Sequence, residues 1–460
     1  MGSFSSKAIS FLLVPLYTSI LTTAEYSISD IISTTVSLSL PFFTLIISSA
    51  VFRFVLDKKG NYDKIFTLGF STVIIGFIPL AIISFVVFMC IDTLRNYWLY
   101  FVLYYILSAI ATLESEFLKG QEKVKTVALV GFIYTVVVIG LNILFLVVLK
   151  MRIEGYLIAH LISSGVSVIM YAILGKTHRY IIDPRKIGPD LRKEMYKYSI
   201  PMIPNSAMWW ITNSSDRYFV SAMVSISANG LLSVSYKIPS LLAVFISIFH
   251  SAWELSVVED FEKDSGKAFF NEIYQKYIEF NIIITAFLVI TSKLLGSFLY
   301  ASDFFEAWKY SAILVVGYSF HSMAGFLGTV FTTVKKTKLL FISTFIGAGS
   351  NLILNFVLIN FFGIIGAVIA TVVSYFLTFA VRLIGAKKLI TLTTKLTKNV
   401  LSFCLIIVEA ILVFFDTFYG FIVAGIIFAA LIVVNRAFFT YVFNIIFTML
   451  KKLIKRRSEK

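Results

Sequence analysis

The sequence predicts an all-α integral membrane protein, and three observations carry that reading. The 460 residues are 58% hydrophobic and only 14% charged, against roughly 45–50% apolar and about 25% charged in an ordinary soluble domain. The apolar residues form long continuous runs rather than short alternating segments, which selects helices over a barrel. The 40 Lys and Arg exceed the 25 Asp and Glu by 15, and they sit in short clusters between those runs. That placement is a topology signal and not a nucleic-acid-binding surface. A water-soluble enzyme and a nucleic-acid partner are therefore not expected.

About 20 apolar residues carry a helix across the hydrocarbon core. Fourteen runs qualify: 3–21, 28–52, 65–91, 97–118, 124–149, 154–175, 198–221, 230–253, 277–300, 310–334, 339–360, 364–386, 399–416 and 420–449. With the N-terminus placed inside, the inner segments hold 31 basic residues and the outer segments four, while Arg217, Lys237, Lys293, Arg382 and Arg436 fall within spans. The positive-inside rule then puts both termini in the cytoplasm. No cleaved signal peptide is expected, because the first apolar run lacks a charged leader and an A-x-A site. Cys90 and Cys404 lie in apolar stretches with neither disulfide nor metal-ligand spacing. Nucleotide, zinc and hydrolase motifs are missing from the sequence, so an enzyme, a cofactor or a metal is not expected.

An internal repeat organises the spans. Ile153, Gly155, Ile158, Ala159 and Ser163 match Ile364, Gly366, Ile369, Ala370 and Ser374 at a constant offset of 211, and Leu141-Asn142 precedes the first set as Leu354-Asn355 precedes the second. The repeat implies an N-terminal six-helix bundle over 1–175 and a basic cytoplasmic linker over 176–197. A C-terminal six-helix bundle follows over 198–386, then two further spans and a basic tail over 387–460. Parallel repeats of this kind recur in transporter folds.

Several strings carry a family resemblance: Val14-Pro15-Leu16-Tyr17-Thr18, Glu25-Tyr26-Ser27-Ile28-Ser29-Asp30, Ile200-Pro201-Met202-Ile203-Pro204-Asn205, Asn213-Ser214-Ser215-Asp216-Arg217-Tyr218-Phe219 and Tyr236-Lys237-Ile238-Pro239. In these the chain resembles, over essentially its whole length, the polysaccharide repeat-unit flippases (Wzx type) of the multidrug/oligosaccharidyl-lipid/polysaccharide exporter superfamily. The resemblance implies alternating-access transport of an undecaprenyl-diphosphate-linked oligosaccharide across a bacterial cytoplasmic membrane, for O-antigen or capsule assembly. It also implies membrane lipids, a polysaccharide polymerase and a chain-length regulator as partners. The alternatives are a multidrug or other lipid-linked precursor exporter of the same superfamily, and a membrane polymerase, against which the short outer loops speak.

Ionisable residues within spans mark the pathway, because at membrane depth they face a bundle interior or a water-filled cavity. At 100° per residue, Asn205, Trp209, Thr212, Asn213 and Asp216 share a stripe of span seven, with Arg217 just beyond Asn213. Asp216 and Lys237 lie at similar depth, so an Asp216–Lys237 or Asp216–Arg217 pair would neutralise buried charge. Arg53 at the inner end of span two and His321 near the middle of span ten complete the candidate set, while Lys293 is placed to snorkel to the interface. Pro201 and Pro204 are expected to bend span seven and Pro239 to kink span eight. The segment 256–276 reads as an amphipathic helix pair on the membrane surface. The topology is open to reporter fusions: alkaline phosphatase joined within 176–197 is expected to stay inactive and green fluorescent protein at the same site to fluoresce, and the reverse pattern overturns the orientation.

Overall fold

The computed structural model describes residues 11, 13–57, 61–246, 264–333, 337–389 and 395–436, which are helical with no strand. The chain divides into two compact units, Met1–Ser233 with Leu299–Phe304 and Val234–Phe298 with Phe305–Lys460. Among the described residues ten helices are long and apolar enough to cross a membrane, or eleven if a bent pair counts as one span. The last expected span is described only as Phe418–Val434, a 17-residue apolar helix.

The first unit holds α1 (Val14–Ile20), α2 (Thr23–Phe43), α3 (Ile47–Leu56), α4 (Tyr62–Met89), α5 (Trp98–Gly120), α6 (Val124–Asn142), α7 (Arg152–Leu174), α8 (Pro189–Ser199) and α9 (Ile203–Met223). Thr22 starts α2 through a reciprocal capping box with Glu25. Arg152 closes on the same carboxylate with two nitrogens at 2.8 Å, tying the outer starts of α2 and α7 together.

The single span expected over 28–52 is broken. Its two helices, α2 and α3, meet at 61°, because Pro41 removes an N–H from the ladder and Leu45 and Ile46 then turn left-handed at φ 53° and 52°. Pro204, by contrast, lies in the first turn of α9 after the 3₁₀ turn Ile200–Met202. There it costs no intrahelical hydrogen bond, since a first-turn N–H has no partner to lose.

The linker 176–197 is docked on the bundle. Buried Thr177 donates to the buried Glu114 carboxylate at 2.6 Å. Thr67 donates to Tyr180 O at 2.9 Å and accepts from Ile182 N, and Thr72 and Tyr196 hydroxyls lie 2.8 Å apart. Met195 and Ile187 bury their side chains, while all seven Lys and Arg of the segment remain exposed.

The second unit contains α11 (Asp264–Ile290), α12 (Ser292–Leu299), α13 (Ala307–Thr333), α14 (Thr337–Phe362), α15 (Ile364–Lys387), α16 (Leu396–Phe414) and α17 (Phe418–Val434), while α10 (Ile226–Ser235) begins the span Ile226–Ile246 that enters it. The predicted surface helix pair over 256–276 gives way, over its described part, to one helix continuous with the following span. The cause is packing: Tyr274 and Tyr277 are buried against Phe326, with ring centroids at 5.4 and 4.6 Å. Residues 256–263 lie outside the described residues. Pro239 interrupts the hydrogen-bond ladder of the span Ile226–Ile246. The ladder breaks at Tyr236, and the carbonyl of Ser235, four residues before the proline, accepts instead from the Ser311 hydroxyl at 2.8 Å.

The repeat is visible in matched environments. Asn142 and Asn355 are both wholly buried, as are Ala159 and Ala370, and Ser163 and Ser374 each donate to those alanine carbonyls at 2.6 Å. Gly155 and Gly366 both admit the end of the preceding helix, Phe145 in one case and Leu358 in the other, where a Cβ would collide.

Arg382 holds the second unit together. It is 2% exposed, and its guanidinium donates to Ser343 Oγ at 2.9 Å, Ala324 O at 2.7 Å and Thr344 Oγ1 at 3.1 Å, joining α15 to α13 and α14. Arg382→Leu is expected to leave these acceptors unsatisfied and to cost about 3 kcal/mol, read as a lowered midpoint in thermal unfolding of the detergent-solubilised protein. An unchanged midpoint would remove Arg382 from this role.

Candidate ion-pair site and polar cavity

Helices α2 and α9 run antiparallel, and their facing residues converge on one carboxylate. Arg217 Nε lies 2.6 Å from Asp30 Oδ2 and Arg217 Nη1 lies 4.0 Å from Asp216 Oδ1. The three side chains are 13%, 20% and 2% exposed, in that order. Arg217 Nη1 also donates to Asn213 O at 2.9 Å, which anchors the guanidinium to its own helix. Ser233 donates to Asp30 Oδ2 at 2.8 Å, and Asn229 donates to Ser27 Oγ at 2.8 Å, so α10 closes the same site.

Side-chain contacts fix the register that makes this possible. Trp210 Nε1 donates to Thr34 O at 3.1 Å, and the Thr35 and Tyr218 hydroxyls lie 2.6 Å apart. Both contacts keep Asp30 opposite Arg217. The expected Asp216–Arg217 pairing is thus secondary to Asp30, a residue the polar stripe of span seven did not reveal. The rule that an ionisable group within a span marks a site would have found it, because Asp30 lies inside 28–52.

Two helical turns further in, the break between α2 and α3 opens a cavity of about 260 Å³. Ser37, Thr44 and Ser48 from the broken span, Thr112 from α5 and Ser206 from α9 supply its hydroxyls, set among the apolar Leu40, Ile46, Ile47 and Val73. Ser37 is four residues before Pro41, so the proline leaves its carbonyl without the usual helical donor. Seven residues separate Asp30 from Ser37 and eleven separate Ser206 from Arg217, about 10 Å and 16 Å along the respective axes. The charged pair and the cavity therefore lie along one polar seam of the first unit.

A family model described as "Polysaccharide biosynthesis protein" matches residues 1–253, more than half of the chain. The chain belongs to this family. An uncharacterized membrane protein of Methanocaldococcus jannaschii is 25% identical over 363 residues, covering 75% of this chain and 85% of that one. Among solved structures, the lipid II flippase MurJ in an inward closed conformation superposes with a TM-score of 0.72 at 17% identity, covering 97% of this chain and 98% of that one. An inward-facing multidrug resistance MATE family transporter of the MOP superfamily reaches 0.63 at 14% identity, over 85% of this chain and 95% of that one. At these identities the likeness is one of fold.

In this member of the polysaccharide biosynthesis family the remaining candidates are dispersed. Asn205 and Trp209 are half-buried on α9. Arg53 pairs with Asp57 one turn on at 3.1 Å and is 53% exposed, in the position of an interfacial residue. Lys237 and His321 belong to the second unit, where the His321 ring packs on Tyr375 at 4.6 Å and Tyr318 at 6.0 Å. Lys293 pairs with Asp416 and lies over the Trp308 ring at 5.4 Å, consistent with its expected snorkelling. Among the described residues no group of three or more His, Cys, Asp or Glu could hold a metal ion.

The two carboxylates give the pair a distinctive mutational order. Arg217→Gln removes the cation 2.6 Å from Asp30 and is expected to cost about 3 kcal/mol, whereas Asp30→Asn keeps the guanidinium on Asn213 O and costs about 1 kcal/mol. The double variant should lie closer to wild type than the sum of its singles. Additive losses in a thermal double-mutant cycle would show that the Asp30–Arg217 contact carries no coupling.

Proposed function

We propose that this chain is a flippase for an undecaprenyl-diphosphate-linked oligosaccharide, moved from the inner to the outer leaflet of a bacterial cytoplasmic membrane for O-antigen or capsule assembly. The observation that carries the reading is the half-buried Arg217, shared by Asp30 and Asp216 on the seam of a hydroxyl-lined cavity, in a chain of the polysaccharide biosynthesis family. A diphosphate headgroup competes with Asp30 for Arg217, so substrate entry exchanges one anion for another and leaves no cation buried alone. Lys237 and Arg53 are further cations along the route. Trp209, Trp210, Asn205 and Asn213 offer the ring faces and amides that sugars take up. The polyprenyl tail stays in the bilayer while the headgroup crosses, and both termini remain cytoplasmic. His321 lines the pathway in the second unit, and a polysaccharide polymerase and a chain-length regulator receive the product. No step makes or breaks a covalent bond, so the protein acts as a transporter and not as an enzyme.

The fold likeness to MATE transporters supports a second reading, export of amphipathic drugs. Proteoliposomes separate the two. A fluorescent polyprenyl-diphosphate-linked disaccharide in the inner leaflet should become accessible to an external quencher with wild-type protein and about tenfold more slowly with Arg217→Ala or Lys237→Ala. Equal rates for both variants and wild type would sink the cation-lined route. Efflux of ethidium without lipid movement would favour the drug exporter.

A further inference from the structure

A second cavity in the first unit, of about 420 Å³, lies among α5, α6 and α7, apart from the residues of the ion pair. Its size falls within the roughly 300–1,000 Å³ of small-molecule sites. On α5 its wall is a single helix face, with Tyr104, Ser108, Thr112, Ser115 and Lys119 at steps of three or four residues. Opposite stand Tyr134 on α6 and Ser164, Ser167 and Tyr171 on α7, the last three buried. Thr112 also lines the cavity at the α2–α3 break, so the two spaces adjoin.

The chemistry of this wall selects its ligand. Thr112, Ser164 and Ser167 donate their protons to carbonyls of their own helices, Ser108 O at 2.7 Å, His160 O at 2.9 Å and Ser163 O at 3.2 Å. These three hydroxyls thus spend their protons within their own helices and face the cavity as acceptors, beside the tyrosine hydroxyls of the same wall. Glu116 lines the same wall 2.7 Å from Lys119, so this wall sets a carboxylate beside its cation. Three tyrosine rings add flat apolar faces. Acceptors interleaved with ring faces suit a group that donates many hydrogen bonds and carries a C–H face, which describes a sugar ring and not an anion.

We infer that the α5–α6–α7 cavity is a carbohydrate subsite, binding a sugar residue separately from the Arg217 cation that faces the charged headgroup. It deepens the flippase reading, resting on it in taking that sugar to be the substrate's. Lys119 and Glu116 lie at the inner end of α5, so the mouth they flank is on the cytoplasmic side in the orientation given by the basic residues. Sugar docking there would precede passage along the seam.

Gly131 supplies a clean test. It lines the cavity, and a Cβ added to it meets nothing within 4 Å, so the side chain of Gly131→Leu starts into open space and improves helix propensity. Gly140 on the same helix is exposed and equally open, so Gly140→Leu is the matched control. Saturation-transfer NMR on the full-length protein in nanodiscs would use a hexose, an N-acetylhexosamine and a 6-deoxyhexose as probes, with tetramethylammonium as competitor. At least one sugar should bind to wild type and to Gly140→Leu, and at least tenfold more weakly to Gly131→Leu. Absence of binding by every sugar, binding that survives in Gly131→Leu, or displacement of every bound sugar by tetramethylammonium would each overturn the inference. Proteoliposome flipping of the lipid-linked disaccharide, run in parallel, distinguishes the two levels. Sugar binding lost in Gly131→Leu without any wild-type flipping keeps the subsite and rejects the flippase, and flipping without sugar binding does the opposite.

Discussion

At membrane depth no water is present to satisfy a backbone N–H or C=O, and the whole architecture follows from that constraint. It makes every described element helical and turns each interruption of a helix into an event with a consequence. Where Pro239 frees the carbonyl of Ser235, the Ser311 hydroxyl replaces the lost donor and the interior stays closed. Where Pro41 breaks the ladder near Ser37, the chain instead bends by 61° and a hydroxyl-lined cavity opens. One residue type thus produces a structural joint in one unit and a polar space in the other.

The same absence of water governs the charges. Arg382 and Arg217 are both cations within spans, yet their surroundings separate them. Arg382 is enclosed by neutral acceptors on two neighbouring helices and ties those helices together. Arg217 is shared unequally by two carboxylates, keeps more exposure, and adjoins a cavity. A cation that two anions share can trade one of them for a third, whereas one enclosed by three neutral acceptors leaves them unsatisfied if it moves. The reading of Arg217 as a substrate contact and of Arg382 as a helix tie comes from this difference.

Much of this was legible in the chain. The helical membrane fold, the repeat marked by Asn142 and Asn355, the polar face of α9 and the ladder break before Pro239 follow from composition, spacing and proline chemistry. Asp30 escaped because its significance comes from Arg217, almost 190 residues away. The docked linker escaped because its charges advertise solvent, while its attachment rests on a few inconspicuous residues, Thr177, Ile187 and Met195. The continuation of α11 through 264–276 escaped because an amphipathic face looks the same whether lipid or Phe326 covers it.

By itself the sequence determined the class of the protein and the apolar stretches that form its helices, and it predicted a sidedness from its basic residues, since these depend on local composition and on the solvent that each segment meets. Only the tertiary structure decided which charges pair, which proline opens a cavity, and which hydroxyls gather on α5, α6 and α7. Those outcomes depend on contacts between helices far apart in the chain, and helical periodicity says which face of a helix is polar without saying what stands opposite it.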